Sequence, residues 1–208
     1  MCKDWDESIS LNRKPVLGIP EGPYLASASD SALAHFNTIC DWLANAGYEL
    51  RRLPVLNNIQ DVRARHDVIM AADASRVHQK WFEKYENLYS SKLTELIRRG
   101  QSIPDSQLQE ALNARELFRV EMLQAMNEWD LDLWICPPST GPAPKGLDNT
   151  GDPAMNLPWT QIGFPAVNIP VEIGPDGLPI GLQVIGKWNM DEELLAWAEY
   201  IEKVVRRI

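Results

Sequence analysis

Two stretches of the sequence decide the fold: Leu131-Asp-Leu-Trp-Ile-Cys-Pro-Pro138 and Phe164-Pro-Ala-Val-Asn-Ile-Pro-Val-Glu-Ile-Gly-Pro-Asp-Gly-Leu-Pro-Ile-Gly-Leu-Gln-Val-Ile185. The first is a short apolar run that stops at two prolines, which predicts a buried strand because proline cannot continue a central ladder. The second contains apolar runs over 166–173 and 178–185, joined by Gly174-Pro-Asp-Gly177. Those four residues favour a turn, so the second stretch predicts a hairpin-like pair of strands.

Towards the N-terminus, the pattern predicts a strand, a helix and a second strand. Residues 15–20 and 48–53 read as strands, and the helix between them covers 27–46. Ser29 or Asp30 can cap the start of this helix, and Gly47 can end it in the left-handed conformation. A strand, helix and strand of this length form a βαβ unit, for which parallel pairing is the default.

The rest of the chain is predicted to be helical. Residues 58–100 show a ragged helical pattern with an aromatic face, and a clearer helix runs from Pro104-Asp105 to about Trp129. A final helix is predicted with Asn189 as its cap and Glu192 three residues later, a spacing like that of a capping box. The combination of strands and helices predicts an α/β fold.

Composition excludes several classes of protein. The chain has 208 residues with 20 Lys plus Arg against 29 Asp plus Glu, a net charge of −9. Nucleic acid and anionic lipid are therefore not the expected partners, because both need clustered positive charge. No apolar run approaches the roughly 18 residues of a membrane span, and the acidic N-terminus does not resemble a targeting peptide. Three cysteines do not make a disulfide framework, so we expect a reducing, cytoplasmic location.

Candidates for catalysis are few. Cys136 ends an apolar strand, where packing is the favoured interpretation and a nucleophilic role the alternative. The run Ser90-Ser91-Lys92 contains residue types of a serine hydrolase, but no glycine-rich turn lies beside it to supply an oxyanion hole, so we interpret it as a helix end or loop. The three histidines are isolated in sequence. No phosphate loop, dinucleotide fingerprint or metal-ligand spacing occurs, and we therefore predict no metal and no organic cofactor.

Three blocks of sequence, in order, carry a resemblance to a known family. They cover 132–144, 155–170 and 177–186, and the last includes Gly177-Leu-Pro-Ile-Gly-Leu-Gln183. This series resembles the C-terminal part of the amidase-signature family of serine amide hydrolases, and the resemblance extends from about Lys14 to Ile208. It implies a partial amidase-type α/β/α sandwich with a mixed sheet flanked by helices. Residues 1–13 are then an N-terminal arm, and 14–208 are the C-terminal part of an amidase-like domain.

The resemblance also implies what the matched part does and does not contribute. The family's lysine base and its Gly/Ser-rich segment, with the nucleophilic serine and a cis-serine, precede the matched part, so we expect no catalytic residue here. In related enzymes, the loop matched by Trp159 to Gly163 helps to shape the substrate pocket. The amidotransferase branch places a carboxylate-binding arginine on the helix matched by 111–119. The substrate-binding residues predicted in this way are Met155, Trp159, Thr160, Ile162, Gly163 and Arg115. The alternative is that the first five pack the sheet and that Arg115 pairs with a neighbouring glutamate.

Two functions from different classes follow. The first is the C-terminal portion of an amide C–N hydrolase, which supplies scaffold and pocket walls and is inactive without the upstream half. It predicts an apolar edge or face of the sheet left for that half to cover, with a small amide as substrate only in the completed enzyme. The second is a non-catalytic interaction or regulatory module that forms homo- or hetero-oligomers through the same surface. An unrelated hydrolase that uses Cys136 with a histidine is a third hypothesis.

Overall fold

The computed structural model describes Ile9, residues 11–174 and residues 177–207. Residues 1–8 and 10 of the predicted arm, Pro175 and Asp176 of the predicted turn, and Ile208 lie outside this range. The chain forms two compact units, which we describe separately: residues up to Ile59 together with those from Glu121 onward, and residues 60–120.

The first unit is built on a mixed five-stranded sheet. Its strands are β1 (Leu17–Pro20), β2 (Leu50–Leu53), β3 (Leu133–Cys136), β4 (Ala166–Ile173) and β5 (Pro179–Ile185). Their order is β2-β1-β3-β5-β4. Strand β1 pairs in parallel with β2 and β3, which confirms the predicted βαβ unit, and β5 pairs antiparallel with β3 and β4. In the part of the sheet that the structure describes, β2 and β4 are therefore the edges.

The described residues also form six α-helices, as predicted for the α/β class. They are α1 (Asp30–Asn45), α2 (Ile59–Tyr85), α3 (Ser91–Gln101), α4 (Asp105–Glu128), α5 (Leu157–Ile162) and α6 (Asp191–Val205). Ser29 caps α1 by accepting from the N–H of Ala32, and Gly47 follows it with a φ of 82°, a conformation that glycine adopts without strain. The hydroxyl of Ser90 caps α3 and accepts from the N–H of Leu93, which is the helix-end role expected for this residue.

The predicted cap of α6 is wrong. Met190 holds the N-cap position and makes no side-chain capping bond, whereas Asn189 takes a φ of 60° in the turn before it. Asparagine tolerates the left-handed region better than most residues, whereas a capping residue typically has extended backbone. Asn189 therefore forms the turn before the helix and does not cap it.

The two faces of β4 differ in what covers them. Ile169 and Val171 point to one face and are buried, on the side where α6 packs on the strand. Ala166, Asn168 and Pro170 alternate with them on the other face and are exposed. Further into the sheet, this second face carries the fully buried Trp134. Coverage of this face therefore decreases from the centre of the sheet towards β4.

The second unit is helical and contains most of α2, all of α3 and the first part of α4. Its buried apolar side chains include Phe82, Ile97 and Phe118. The helices approach so closely at Gly100 that a β-carbon there would collide with the carbonyl of Ala71. In the described ranges, we find no helix that is both long and apolar enough to cross a membrane.

Candidate functional site

A buried hydroxyl lies at the centre of the candidate site. Tyr24 donates to the carbonyl of Met155 at 2.7 Å and accepts from Nε1–H of Trp159 at 2.9 Å. The three side chains are at most 1% exposed. Trp159 also packs edge-on against Tyr24, tilted against Trp134 and stacked on Phe164. Because one hydroxyl serves both a donor and an acceptor, Tyr24 fixes α5 and the turn before it to the segment that follows β1.

Cys136 contacts the same hydroxyl and is not an activated nucleophile. Its Sγ lies 3.1 Å from the Tyr24 oxygen. Burial raises the pKa of Cys136 to about 12, despite the opposing effect of hydrogen bonds with Tyr24 and Trp159. The thiolate is the reactive form of cysteine, and a thiol with this pKa stays protonated at neutral pH. The packing interpretation of Cys136 is the one that the geometry favours.

Two of the histidines pair with polar groups outside this network. Nδ1 of His35 lies 2.9 Å from Oε1 of Glu172, and Nδ1 of His78 lies 2.9 Å from the hydroxyl of Tyr89. Among the described residues, no group of three His, Cys, Asp or Glu side chains is placed to hold a metal ion.

Five predicted substrate-binding residues lie on one short segment of the first unit. The side chains of Met155, Trp159 and Ile162 are buried in the described structure. Thr160 and Gly163 are exposed, and Gly163 ends α5 with a φ of 70°. The hydroxyl of Thr160 and the backbone of Gly163 are therefore exposed, while the apolar side chains of the segment pack inward. The role of all five as pocket walls stays a prediction.

Arg115 lies on α4 in the second unit. Its guanidinium pairs with Glu116 at 3.0 Å, and its side chain is 32% exposed. This is the pairing that the alternative interpretation anticipated. Carboxylate binding by Arg115 stays a prediction that rests on the amidotransferase resemblance.

A second polar feature adjoins α5. A cleft of about 280 Å³ is lined by Pro138, Asn156, Ala166, Val167, Asn168 and Gln183. We call it the carboxamide pocket, because three of its side chains are amides. Asn156 donates to the carbonyl of Pro138 at 3.2 Å. Gln183 is 3% exposed, and its Oε1 has no hydrogen-bond partner among the described residues.

The register of the sheet produces the carboxamide pocket. Gln183 on β5 lies opposite Cys136 on β3 and Asn168 on β4, so the three side chains form a row on one face. Exposure rises along the row, from the buried Cys136 to the exposed Asn168. Asn168 leans over Gly181, whose missing side chain leaves the space for it.

Sequence reasoning did not identify Tyr24, Asn168 or Gln183 as site residues. The partners of the Tyr24 hydroxyl are more than a hundred residues away along the chain, and no local motif marks such a contact. Gln183 offered one usable signal, since it is a polar residue in an otherwise apolar central strand.

Comparison with known proteins identifies the class. A family model described as Amidase matches residues 3–195. The chain therefore belongs to the amidase family, which confirms the resemblance of the three sequence blocks.

Individual relatives agree and show how much of them the chain represents. It is 24% identical to the A subunit of glutamyl-tRNA(Gln) amidotransferase from Bartonella tribocorum, over 90% of this chain and 44% of the relative. A 63-residue stretch is 52% identical to the mitochondrial A subunit of the same enzyme from Rattus norvegicus, and covers 12% of that protein. A crystal structure described as an amidase superposes with a TM-score of 0.79 at 23% identity, over 90% of this chain and 46% of that one. The chain thus spans about half the length of these two relatives, each of which matches 90% of it.

Proposed function

We propose that this chain is the C-terminal portion of an amide C–N hydrolase, and that it supplies scaffold and substrate-pocket walls for catalytic groups carried by the N-terminal half of the family fold. Membership of the amidase family supports the reaction class. The proportion of the relatives that the chain represents supports a division of labour between halves.

The observation that carries the proposal is the tethering of α5. A substrate pocket needs walls held in place before the substrate arrives, because ordering them on binding costs affinity. The buried bond from Trp159 to Tyr24 holds the short α5 rigidly, although an isolated helix of six residues would not be stable. Thr160 and Gly163 are then presented from a fixed backbone.

The chain alone is expected to be inactive. Amide hydrolysis needs an activated nucleophile and an oxyanion hole. The pKa of about 12 for the buried Cys136 makes it unsuitable as the nucleophile, and Ser90 is engaged in capping α3.

The test is reconstitution. The N-terminal half of the Bartonella tribocorum relative is joined upstream of this chain, and release of nitroaniline from aryl amides is measured. We expect no turnover by this chain alone and measurable turnover by the joined protein. In the joined protein, Thr160→Val should change KM or the preference among amides more than kcat, because a wall residue binds and does not react.

Thr38→Val is the matched control, since Thr38 is an exposed threonine on α1 whose hydroxyl only donates to the carbonyl of Ala34. Turnover by the isolated chain that disappears in Ser91→Ala or Cys136→Ala would contradict the proposal. So would a joined protein in which Thr160→Val and Thr38→Val behave alike.

A further inference from the structure

The outer face of α2, in the second unit, carries exposed apolar side chains. Met70, Val77, Trp81 and Tyr85 on the helix, and Leu88 in the turn that follows it, are between 40% and 75% exposed. At 100° per residue, the four helical positions lie within about 80° of the helix circumference. The five residues therefore form one stripe roughly 25 Å long, which we call the outer stripe.

The other helices of the second unit contact α2 on different faces. Helix α3 approaches it where Gly100 meets the carbonyl of Ala71, and α4 approaches it where the guanidinium of Arg65 lies 5.7 Å from the centre of the Phe118 ring. Ala71 and Arg65 lie about 100° and 140° from Met70 around the helix. Apolar residues of a helix normally face its own core, so an uncovered apolar stripe of this length indicates an interaction surface.

The spacing of the outer stripe is the same in both directions along the chain. Met70, Val77, Trp81 and Leu88 are separated by seven, four and seven residues. If a second α2 lies antiparallel to the first, with a two-fold axis level with Gln79, Val77 of one protomer meets Trp81 of the other, and Met70 meets Leu88. A two-fold interface requires a patch that is complementary to itself in this way, whereas a different partner does not.

Two charges beside the outer stripe show the same complementarity. Asp73 and Lys84 lie within about 20° of each other on one flank of the stripe, and the ammonium of Lys84 lies 5.1 Å from the centre of the Tyr85 ring. The antiparallel arrangement brings Asp73 of each protomer close to Lys84 of the other, so that two opposite-charge pairs form. Lys80, on the same flank, lies near the axis and opposes its own copy, which weakens the contact.

A cleft at the C-terminal end of the outer stripe offers space for a protruding side chain. It has a volume of about 480 Å³, Trp81, Tyr85 and Leu88 contribute to its wall, and the lining contains no carboxylate, lysine or arginine. In the antiparallel arrangement, Met70 of the other protomer lies opposite this cleft. Methionine is unbranched and makes favourable contacts with aromatic rings, so it suits a cleft of this kind.

We propose that the outer stripe is a self-association surface, on which two copies of this chain pack α2 against α2 in antiparallel orientation. The contact lies in the second unit and does not depend on the amide hydrolysis proposed above. A single pair of helices of this length buries less than the roughly 800 Å² per partner of a standard interface. We therefore expect a transient dimer with a dissociation constant in the micromolar range or weaker.

Sedimentation of the whole chain from about 1 to about 500 µM tests the proposal. Val77→Asp should weaken the dimer at least about tenfold, because it places a carboxylate against Trp81 at two symmetric positions. Leu117→Asp is the matched control, since Leu117 on α4 is 71% exposed against 69% for Val77 and lies outside the stripe. Both variants replace exposed side chains, so both should keep the circular dichroism spectrum of the wild type, and only Val77→Asp should dissociate the dimer.

A charge exchange tests the orientation of the two helices. Asp73→Lys and Lys84→Asp should each weaken the dimer about three- to tenfold, because each change places like charges together at two symmetric positions. The double variant should recover the wild-type affinity to within about twofold, since it exchanges the charges and keeps the pairs. A parallel contact, or a contact through another surface, does not predict this recovery.

Several results would overturn the proposal. One is a chain that stays monomeric up to about 500 µM. Another is equal weakening by Val77→Asp and Leu117→Asp, or a double charge variant that binds no better than the single variants. The last is a monomer that binds the separately expressed N-terminal half of the Bartonella tribocorum relative and loses this binding in Val77→Asp, because the outer stripe would then belong to a contact between the two halves.

Discussion

Replacing Tyr24 with phenylalanine should destabilise the first unit far more than the loss of one oxygen atom suggests. The change leaves Nε1–H of Trp159 and the carbonyl of Met155 without their shared partner. Both residues are at most 1% exposed, so water cannot replace the hydroxyl. The carbonyl of Met155 is then an unpaired buried group, which costs about 1–3 kcal/mol, and Nε1–H of Trp159 keeps only the weak sulfur acceptor of Cys136. We therefore expect a loss of about 2–4 kcal/mol in the free energy of unfolding.

Urea unfolding followed by tryptophan fluorescence and far-ultraviolet circular dichroism measures this loss. Tyr200→Phe is the matched control, because the ring of Tyr200 is 47% exposed and its change should stay within about 0.5 kcal/mol. Trp159→Phe closes a double-mutant cycle, and the combined loss should fall short of the sum by at least about 0.5 kcal/mol. A loss below about 0.5 kcal/mol in Tyr24→Phe, or strict additivity with Trp159→Phe, would refute the account of the tether.

Two further outcomes follow from titrating groups. Burial alone would raise the pKa of Asp132, but hydrogen bonds from Arg13 and from the N–H of Val16 outweigh it and hold that pKa below the ordinary 3.8. A lowered pKa stabilises the fold at pH values above the ordinary pKa, and this contribution is lost as the pH falls. In Asp132→Asn, the free energy of unfolding should therefore depend less steeply on pH in the acid range. In a Cys2→Ser background, the buried Cys40 and Cys136, each with a pKa raised to about 12, should react with a disulfide reagent at about pH 8 only as fast as the chain unfolds. Rapid labelling in native buffer would contradict that expectation.

The strands could be predicted because local chemistry fixes them. Pro137 stops β3 in any context, and the Gly-Pro-Asp-Gly run separates β4 from β5. Parallel pairing of β1 and β2 is favoured because the helix between them returns the chain to the end of the sheet where β1 began. The cap of α6 could not be predicted in this way, because Asn189 suits both a cap and a left-handed turn, and the choice depends on how the chain leaves β5.

The site was less predictable than the fold. The segment from Trp159 to Gly163 was identified by resemblance. Its hydrogen bond to Tyr24 could not be predicted, because Trp159 and Tyr24 are 135 residues apart in the sequence. Gln183 and Asn168 come together through the register of β5 and β4, which depends on long-range pairing. Contacts between residues on different strands produce no periodic pattern in the sequence from which they could be predicted.

The interruption in β4 has a consequence for the isolated polypeptide. A long strand with an open edge could recruit identical strands and grow into a fibril. Here the ladder is broken at Pro170, and the irregular register between Pro170 and Glu172 bends the strand beyond it. The continuous ladder of β4 therefore runs only from Ala166 to Pro170, so the isolated polypeptide should resist the strand-by-strand growth on which fibrils depend.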